Sequence, residues 1–175
     1  MGEEIKIKPI IEKYLVGDIC DIGCGDSKIT TQAFGIDGRD LPGVNFVTDG
    51  LYNLKNKLQW KGHPTEFSTV FSSHCAEHLP DMYKTIDEWS ALVKKGGYFI
   101  LYLPDGDYYD NKENSEHFWD TKYEPFLMWF KRAFCGEAKN YKGEQYAPPV
   151  FELIESGQDV KEENHYSFYL VAKKL

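Results

Sequence analysis

Residues 18–29 read DICDIGCGDSKI, a short apolar strand that runs directly into a Gly-Cys-Gly turn. Small residues after a strand let the backbone approach a ligand closely, and the N–H groups of such a loop can face that ligand. A glycine-rich turn alone is a weak signal, because a plain tight turn between two elements explains it equally well. The segments that follow along the chain decide between these two interpretations.

Two more strand-like segments end in acidic residues. Residues 33–37 end in Asp37, and residues 44–48 are followed by Asp49 and Gly50. A carboxylate in the position of Asp37 can accept hydrogen bonds from both ribose hydroxyls of a nucleotide. Because the carboxyl ends of parallel strands form the usual ligand crevice of an open α/β sheet, we expect these residues to lie at one site.

The rest of the chain alternates strand and helix signals, which predicts one α/β domain over residues 1–175. The clearest helix begins at Met82, carries an apolar stripe that extends to Val93, and has Asp81 as its N-cap and Gly96 as its end. Other helices are predicted over residues 5–15 and 124–134, and other strands over residues 69–73, 98–103, 151–155 and 166–172.

Composition and charge exclude several classes of protein. The net charge is −8 and the pI is about 5.1, which argues against a nucleic-acid backbone as the main partner. No apolar run approaches the ~18 residues of a membrane span. The N-terminal segment mixes charges into its apolar positions and lacks the core of a signal peptide. We therefore predict no nucleic-acid partner, no membrane span and a cytoplasmic location.

The order of the motifs resembles one family. The chain carries, in sequence, DIGCG, GID, NFVTDG, FSSHCAEHLPD and LVKKGGYFILYLPD. Over residues 12–105 this order resembles a class I S-adenosylmethionine-dependent methyltransferase, and it is loosely similar to small members associated with cell-surface polysaccharide biosynthesis. The resemblance implies a Rossmann-like, mostly parallel sheet of seven strands, with the last strand antiparallel between the fifth and the sixth.

The resemblance also implies a cofactor, S-adenosyl-L-methionine, and the residues that bind it. The glycine-rich turn would line the methionine end, Asp37 would hold the ribose, and the residues after the third strand would meet the adenine. The end of the fourth strand would lie near the sulfonium. The implied cofactor-binding residues are Asp21, Ile22, Gly23, Cys24, Gly25, Asp37, Asp49, Gly50, Leu51, Ser72, Ser73 and His74.

The chain departs from the family pattern between its first three strands. Only residues 26–32 and 38–44 are left for the two connections, whereas a parallel crossover normally takes a dozen or more residues. We therefore expect loops there instead of helices. Loops would make the adenine side shallower, and weaker cofactor affinity is a consequence.

Residues 74–78 read HCAEH, which also matches the reversed zinc-protease pattern H-x-x-E-H. Pro80 removes a backbone donor and disfavours helix at Leu79, so little more than one turn is available to hold two histidines. A third ligand would have to come from far along the chain. The expectation is therefore no metal, with Glu77 and His78 shaping a loop that faces the cofactor.

The acceptor side is assigned to the polar, aromatic loop over residues 104–126. It leaves the sheet at the cofactor edge and is longer than packing alone requires. Candidate substrate residues are Tyr108, Tyr109, His117, Phe118 and Trp119; for a hydroxyl acceptor the base is His117 first and His74 second. The alternatives are a mobile surface loop whose aromatics pack on the last helix, and histidines that are structural.

The predicted function is therefore methyl transfer to an unidentified acceptor. An open site favours a saccharide hydroxyl or another bulky metabolite, or a second copy or partner protein that completes the site. Three alternatives stay open: a cofactor-binding regulatory or partner subunit without transfer activity, a nicotinamide dinucleotide oxidoreductase, and a zinc hydrolase. The acceptor, the methylated atom and the oligomeric state are not determined by the sequence.

Overall fold

The computed structural model describes residues 3–110, 114–161 and 163–175; residues 111–113 of the predicted acceptor loop lie outside that range. Its helices are α1 (Glu4–Ile11), α2 (Leu54–Trp60), α3 (Met82–Ser90) and α4 (Tyr123–Phe134), with 3₁₀ turns at Glu12–Tyr14 and Ala76–His78. Its strands are β1 (Ile19–Ile22), β2 (Phe34–Asp37), β3 (Val44–Val47), β4 (Phe67–Ser73), β5 (Val93–Pro104), β6 (Phe151–Asp159) and β7 (Ser167–Lys174).

The strands form one sheet in the order β3-β2-β1-β4-β5-β7-β6. Strands β1 to β5 are parallel, and β7 pairs antiparallel with both β5 and β6. The predicted Rossmann-like sheet, with its last strand antiparallel between the fifth and sixth, is confirmed. Because β1 lies in the middle with β2 and β4 on either side, the ends of these three strands meet at one edge.

Apolar side chains cover both faces of the sheet. On one face, residues of α2, α3 and α4 such as Leu58, Trp89 and Phe130 are fully buried. On the other face, α1 contributes Ile7 and Ile11, and the β1–β2 connection contributes Ile29 and Ala33. The β1–β2 and β2–β3 connections contain no helix, as predicted, and turns take its place.

The predicted end of helix α3 is wrong, whereas Asp81 is its N-cap residue as predicted but caps the helix through its backbone. Helix α3 ends at Ser90, and Val93 is already in β5, where it pairs with Phe67. The residues that looked like a helix end form a bulge in β5, with Gly96 at φ +78°. The side chain of Asp81 makes no cap bond; its carbonyl accepts the Thr85 N–H at 2.9 Å instead. Helix α2, which buries Leu54 and Leu58, was not predicted.

Candidate functional site

A cleft of about 730 Å³ opens at the carboxyl edge of β1, β2 and β4. Its volume falls within the range of roughly 300–1,000 Å³ that ligand pockets usually have. The three strand ends, the segment after β3 and the loop after β5 all contribute to its wall. Its wall includes Gly23, Asp37, Leu51, His74, His78 and Phe118.

The glycines of the turn after β1 are required by its backbone. Gly23 and Gly25 have φ of +74° and +56°, a left-handed region that other residues rarely adopt. A Cβ on Gly23 would lie 2.6 Å from the Cβ of Cys75 and still closer to its sulfur. The turn therefore passes directly against the end of β4, and this close approach shapes the floor of the cleft.

The N–H groups of this turn do not face the cleft, and that part of the prediction is wrong. The N–H groups of Gly23 and Cys24 both donate to the Ile36 carbonyl, at 2.8 and 3.2 Å. The Gly25 N–H donates to Asp37 Oδ2 at 2.8 Å. These bonds replace the missing helix by tying the first connection to β2.

Asp37 is the buried carboxylate of the cleft. Only 5% of the residue is exposed, and besides Gly25 it binds Arg39, whose N–H and Nε lie 2.9 and 3.2 Å from Oδ1. A carboxylate offers about four acceptor positions, so these bonds leave capacity for a hydroxyl donor. The exposed Arg39 side chain also lines the cleft.

Asp21 is buried and binds the backbone of the β1–β2 connection. Its Oδ2 accepts the Ile29 N–H at 2.6 Å, and the residue is 2% exposed. Burial raises its pKa to about 7, although the bond from Ile29 opposes the shift. Ile22 and Cys24 are buried beside it. Of the predicted methionine-end residues, only Gly23 is part of the cleft wall.

The segment after β3 is only partly turned toward the cleft. Leu51 lines it, and its carbonyl accepts the indole N–H of Trp89 at 2.6 Å. The Asp49 side chain is 92% exposed and pairs with Lys57 at 3.3 Å. Gly50 lies against the Tyr52 ring. The structure therefore brings Leu51, but not Asp49, to the cleft.

The end of β4 brings one of three predicted residues to the cleft. The Ser72 hydroxyl donates to the Ile22 carbonyl at 2.9 Å, and the buried Ser73 hydroxyl has no hydrogen-bond partner in the part of the chain that the structure describes. His74 lines the cleft at φ +45°, with Nε2 2.8 Å from Ser167 Oγ. Burial, and then nearby Lys6, lower the pKa of His74 to about 3.

The loop after β5 is docked onto the Ala76–His78 turn. The Phe118 N–H donates to the Glu77 carbonyl at 2.9 Å, and the indole N–H of Trp119 donates to the Leu79 carbonyl at 2.8 Å. This docking brings the ring of His117 to that of His78, with centroids 4.5 Å apart. Burial, and then His78, lower the pKa of His117.

The other predicted acceptor residues lie outside the cleft wall. Trp119 packs edge-on against Tyr83, with centroids 5.1 Å apart, on the side of α3 and α4. Tyr109 stacks on Tyr166 at 4.5 Å, and Tyr108 is exposed. The aromatic residues that line the cleft are His74, His78 and Phe118, so Phe118 is the predicted acceptor residue that the structure places in the wall, and His117 approaches the wall through its contact with His78.

The reversed zinc pattern does not place its two histidines together. His74 approaches Ser167, whereas the Nδ1 of His78 lies 3.0 Å from the Glu116 carbonyl. Glu77 between them is fully buried, and burial raises its pKa to about 8. No sequence signal indicates that His117 approaches Glu77 and His78, because loop docking and not spacing brings them together.

The fold and the position of the cleft define an enzyme of the methyltransferase class, and comparison with known proteins specifies the family. Residues 7–141 match the methyltransferase domain family, so the chain belongs to it. The predicted class I S-adenosylmethionine-dependent methyltransferase is confirmed, with S-adenosylmethionine as cofactor. No curated protein matches the chain.

Solved structures share the fold at low sequence identity. A Burkholderia thailandensis 1,6-didemethyltoxoflavin-N1-methyltransferase, with bound 1,6-didemethyltoxoflavin and S-adenosylhomocysteine, has a TM-score of 0.61 and 15% identity over 98% of this chain and 79% of its own. A SAM-dependent methyltransferase from Archaeoglobus fulgidus has a TM-score of 0.58 and 16% sequence identity. The match covers 99% of this chain and 95% of that one. A third similar chain comes from the complex between the Haloferax volcanii Trm112 methyltransferase activator and a methyltransferase. It has a TM-score of 0.58 and 14% sequence identity, and the match covers 97% of this chain and 88% of that one.

No helix in residues 3–110, 114–161 and 163–175 is long and apolar enough to cross a membrane.

Proposed function

We propose that the cleft binds S-adenosylmethionine and that the protein transfers its methyl group to an oxygen of an acceptor held beside the loop after β5. The observation that carries the proposal is the buried carboxylate of Asp37 in the cleft wall, next to a turn where only glycine fits. This combination suits a ribose placed over a backbone that lies close to the ligand. A fold relative is described with S-adenosylhomocysteine bound.

The residues of the cleft suit the ribose and the methionine end of the cofactor better than its adenine. Asp37 would hold the ribose, Gly23 would admit the methionine end, and Leu51 would contact the adenine. The Asp49 side chain is 92% exposed and is paired with Lys57. It could therefore reach the adenine amino group only by leaving Lys57. The adenine side is therefore the weaker part of the site.

The reaction needs little covalent chemistry from the protein. When bound, S-adenosylmethionine supplies an electrophilic methyl group on a sulfonium. The chain must orient the acceptor oxygen, exclude water and remove the acceptor's proton, and positioning alone can supply much of the barrier reduction.

Of the two predicted bases, His117 is the better placed. His74 is 15% exposed and its Nε2 is engaged with Ser167. Burial lowers the pKa of His74 to about 3, which makes it a weak base near neutral pH. His117 is half-buried beside His78, which lines the cleft. We assign His117 to the acceptor end of the site.

A turnover assay tests the proposal. The protein is incubated with methyl-labelled S-adenosylmethionine and a panel of saccharide and small-metabolite hydroxyl acceptors, and S-adenosylhomocysteine and labelled product are quantified together. We expect stoichiometric formation of both with at least one acceptor. Label transfer to nitrogen acceptors only would overturn the assignment of oxygen as the nucleophile.

One observation favours a second candidate, a cofactor-binding subunit without transfer activity. Asp49 is turned outward and the first two connections are short, so the adenine side is open. Turnover with any acceptor removes this candidate. A partner protein or second copy that completes the site, a saccharide acceptor, the exclusion of nucleic acid and a cytoplasmic location stay predictions.

A further inference from the structure

Three side chains with metal-ligating atoms meet beside the cleft. Glu77, His78 and His117 each offer one such atom, and these atoms lie within 4.8 Å of one another. The His78 Nε2 to Glu77 Oε1 distance is 3.8 Å, too long for a hydrogen bond. Two atoms bound to one cation at about 2.0–2.2 Å can be up to about 4.4 Å apart, so small side-chain shifts bring the group into range.

Glu77 supplies an independent indication of a ligand. The residue is 0% exposed, and among the residues that the structure describes neither of its carboxylate oxygens has a hydrogen-bond partner. Buried carboxylates are normally paired with a donor, a cation or a metal. Its neighbours are imidazoles that can present lone pairs, so a cation placed between the three groups would satisfy Glu77.

The hydrogen bond of His78 prepares it as a ligand. A carbonyl can only accept, so the contact of Nδ1 with the Glu116 carbonyl, at 3.0 Å, places the ring proton on Nδ1. The lone pair of the neutral ring is then on Nε2, the atom nearest Glu77. Metal-bound histidines commonly have their other ring nitrogen fixed by a backbone carbonyl in this way.

His117 also keeps a lone pair at a defined atom. The Oδ1 of Asn114 accepts the Glu116 N–H at 3.1 Å, which leaves its Nδ2 to donate to His117 Nε2 at 3.1 Å. A cation at the site would take this lone pair in place of the Asn114 amide. The docking bond from the Phe118 N–H to the Glu77 carbonyl holds the two segments together.

We propose that Glu77, His78 and His117 bind one divalent first-row transition cation at the acceptor end of the cleft. Two imidazoles and one carboxylate suit ions such as Mn²⁺, Fe²⁺, Co²⁺ or Zn²⁺ better than Mg²⁺, which prefers oxygen ligands. Three protein ligands leave coordination positions for water or substrate. Because His78 lines the cleft, those positions can face an acceptor there.

The inference rests on the proposed function and deepens it, since the cation would hold and acidify the acceptor hydroxyl. The hydroxyl proton passes to water, an oxygen lone pair forms the O–CH₃ bond, and the electrons of the S–CH₃ bond remain on sulfur in S-adenosylhomocysteine. His117 then acts through the cation and not as a free base. The expectation of no metal concerns His74 and His78 and rests on the short turn before Pro80 and on the lack of a third ligand; the proposed site instead combines Glu77 and His78 with His117 from the loop after β5.

Metal titration of the full chain tests the site. Protein treated with a chelator and desalted is titrated with Co²⁺, followed by visible absorption, and with Mn²⁺ and Zn²⁺ by calorimetry. The variants are His78→Gln and His117→Gln, with His63→Gln as the matched control, since His63 packs between Phe34 and Phe46 away from the cleft. Glu77→Gln is an additional variant. Because Glu77 is fully buried, the outcome is judged on the variants of the two half-buried histidines.

We expect one equivalent of Co²⁺ per chain, with unchanged affinity in His63→Gln. Mutation of a group that only hydrogen-bonds to a metal ligand lowers metal affinity by about 10–100-fold. Loss of a ligand itself should therefore weaken Co²⁺ binding at least that much. Absence of saturable binding in the wild type, or wild-type affinity in both His78→Gln and His117→Gln, overturns the inference. The affinity for S-adenosylhomocysteine is measured on the same samples. If S-adenosylhomocysteine binds but the cation does not, only the proposed metal site is contradicted. If the cation binds but S-adenosylhomocysteine does not, only the proposed function is contradicted.

Discussion

The carboxylate of Asp37 has two tasks in this structure. Its Oδ2 accepts the Gly25 N–H and its Oδ1 accepts Arg39, while it also faces the cleft. Asp37→Ala should weaken S-adenosylhomocysteine binding by about 1.5–3 kcal/mol, the range of a charge-assisted hydrogen bond, and should also lower stability. Calorimetry and denaturant unfolding measure both effects, with the exposed Asp40→Ala as control. An unchanged dissociation constant would mean that the ribose is held elsewhere.

Asp21 should make stability depend on pH. Burial raises its pKa from 3.8 to about 7, so the folded protein retains a proton that the unfolded chain releases. The free energy of unfolding should then fall as pH rises from about 4 to about 7, by up to about 1.4 kcal/mol per pH unit from this group. Asp21→Asn should remove that contribution and the exposed Asp26→Asn should not. Denaturation curves with the same pH slope in wild type and Asp21→Asn would contradict this.

His117 should affect turnover and not cofactor affinity. With an acceptor that supports turnover, His117→Ala should lower kcat by about 10²–10⁴, the scale of acid–base assistance, because the acceptor then loses the group that helps to remove its proton, either directly or through a bound cation. S-adenosylhomocysteine affinity should stay constant, because His117 is at the acceptor end. His63→Ala is the control. Full activity in His117→Ala would make the residue structural, and simultaneous loss of cofactor binding would make the loop a lid over the cofactor.

Among the elements, the turn after β1 and the end of β4 meet at Gly23. Gly23 and Gly62 have the same φ of +74°, but a Cβ would clash with Cys75 only at Gly23. Gly62→Ala should therefore cost roughly 1–2 kcal/mol of stability for its backbone alone. Gly23→Ala should cost about 1–3 kcal/mol more through overpacking. Equal losses in denaturant unfolding would mean that the two strand ends are not tightly packed.

The elements that the sequence predicts well are those with strong local patterns. Residues 98–103 of β5 are a continuous apolar run, β1 is apolar except for Asp21, and helix α4 has Pro125 in its first turn and Gly136 shortly after its end. The end of α3 was wrong because Val93 continues the helical stripe, while its pairing with Phe67 in the sheet prevails. Helix α2 was missed because it is only seven residues long.

At the scale of the whole molecule, the parallel sheet is what makes the site partly predictable. Residues at the ends of neighbouring parallel strands must meet at one edge, so the order of the strands predicts that Gly23 and Asp37 lie together, and the family resemblance adds His74. The exposed position of the Asp49 side chain depends on its pairing with Lys57 of the unpredicted helix α2, and the approach of His117 to Glu77 depends on loop docking over long sequence separation. No spacing rule contains that information.

A calorimetric titration of the full chain with S-adenosylhomocysteine, alongside NAD, tests the central claim most directly. If the cleft is a cofactor site, S-adenosylhomocysteine binds saturably with one site per chain, Asp37→Ala weakens that binding while Asp40→Ala does not, and NAD does not bind. The alternative of a dinucleotide enzyme predicts the opposite preference. Saturable binding of NAD without binding of S-adenosylhomocysteine would contradict the account.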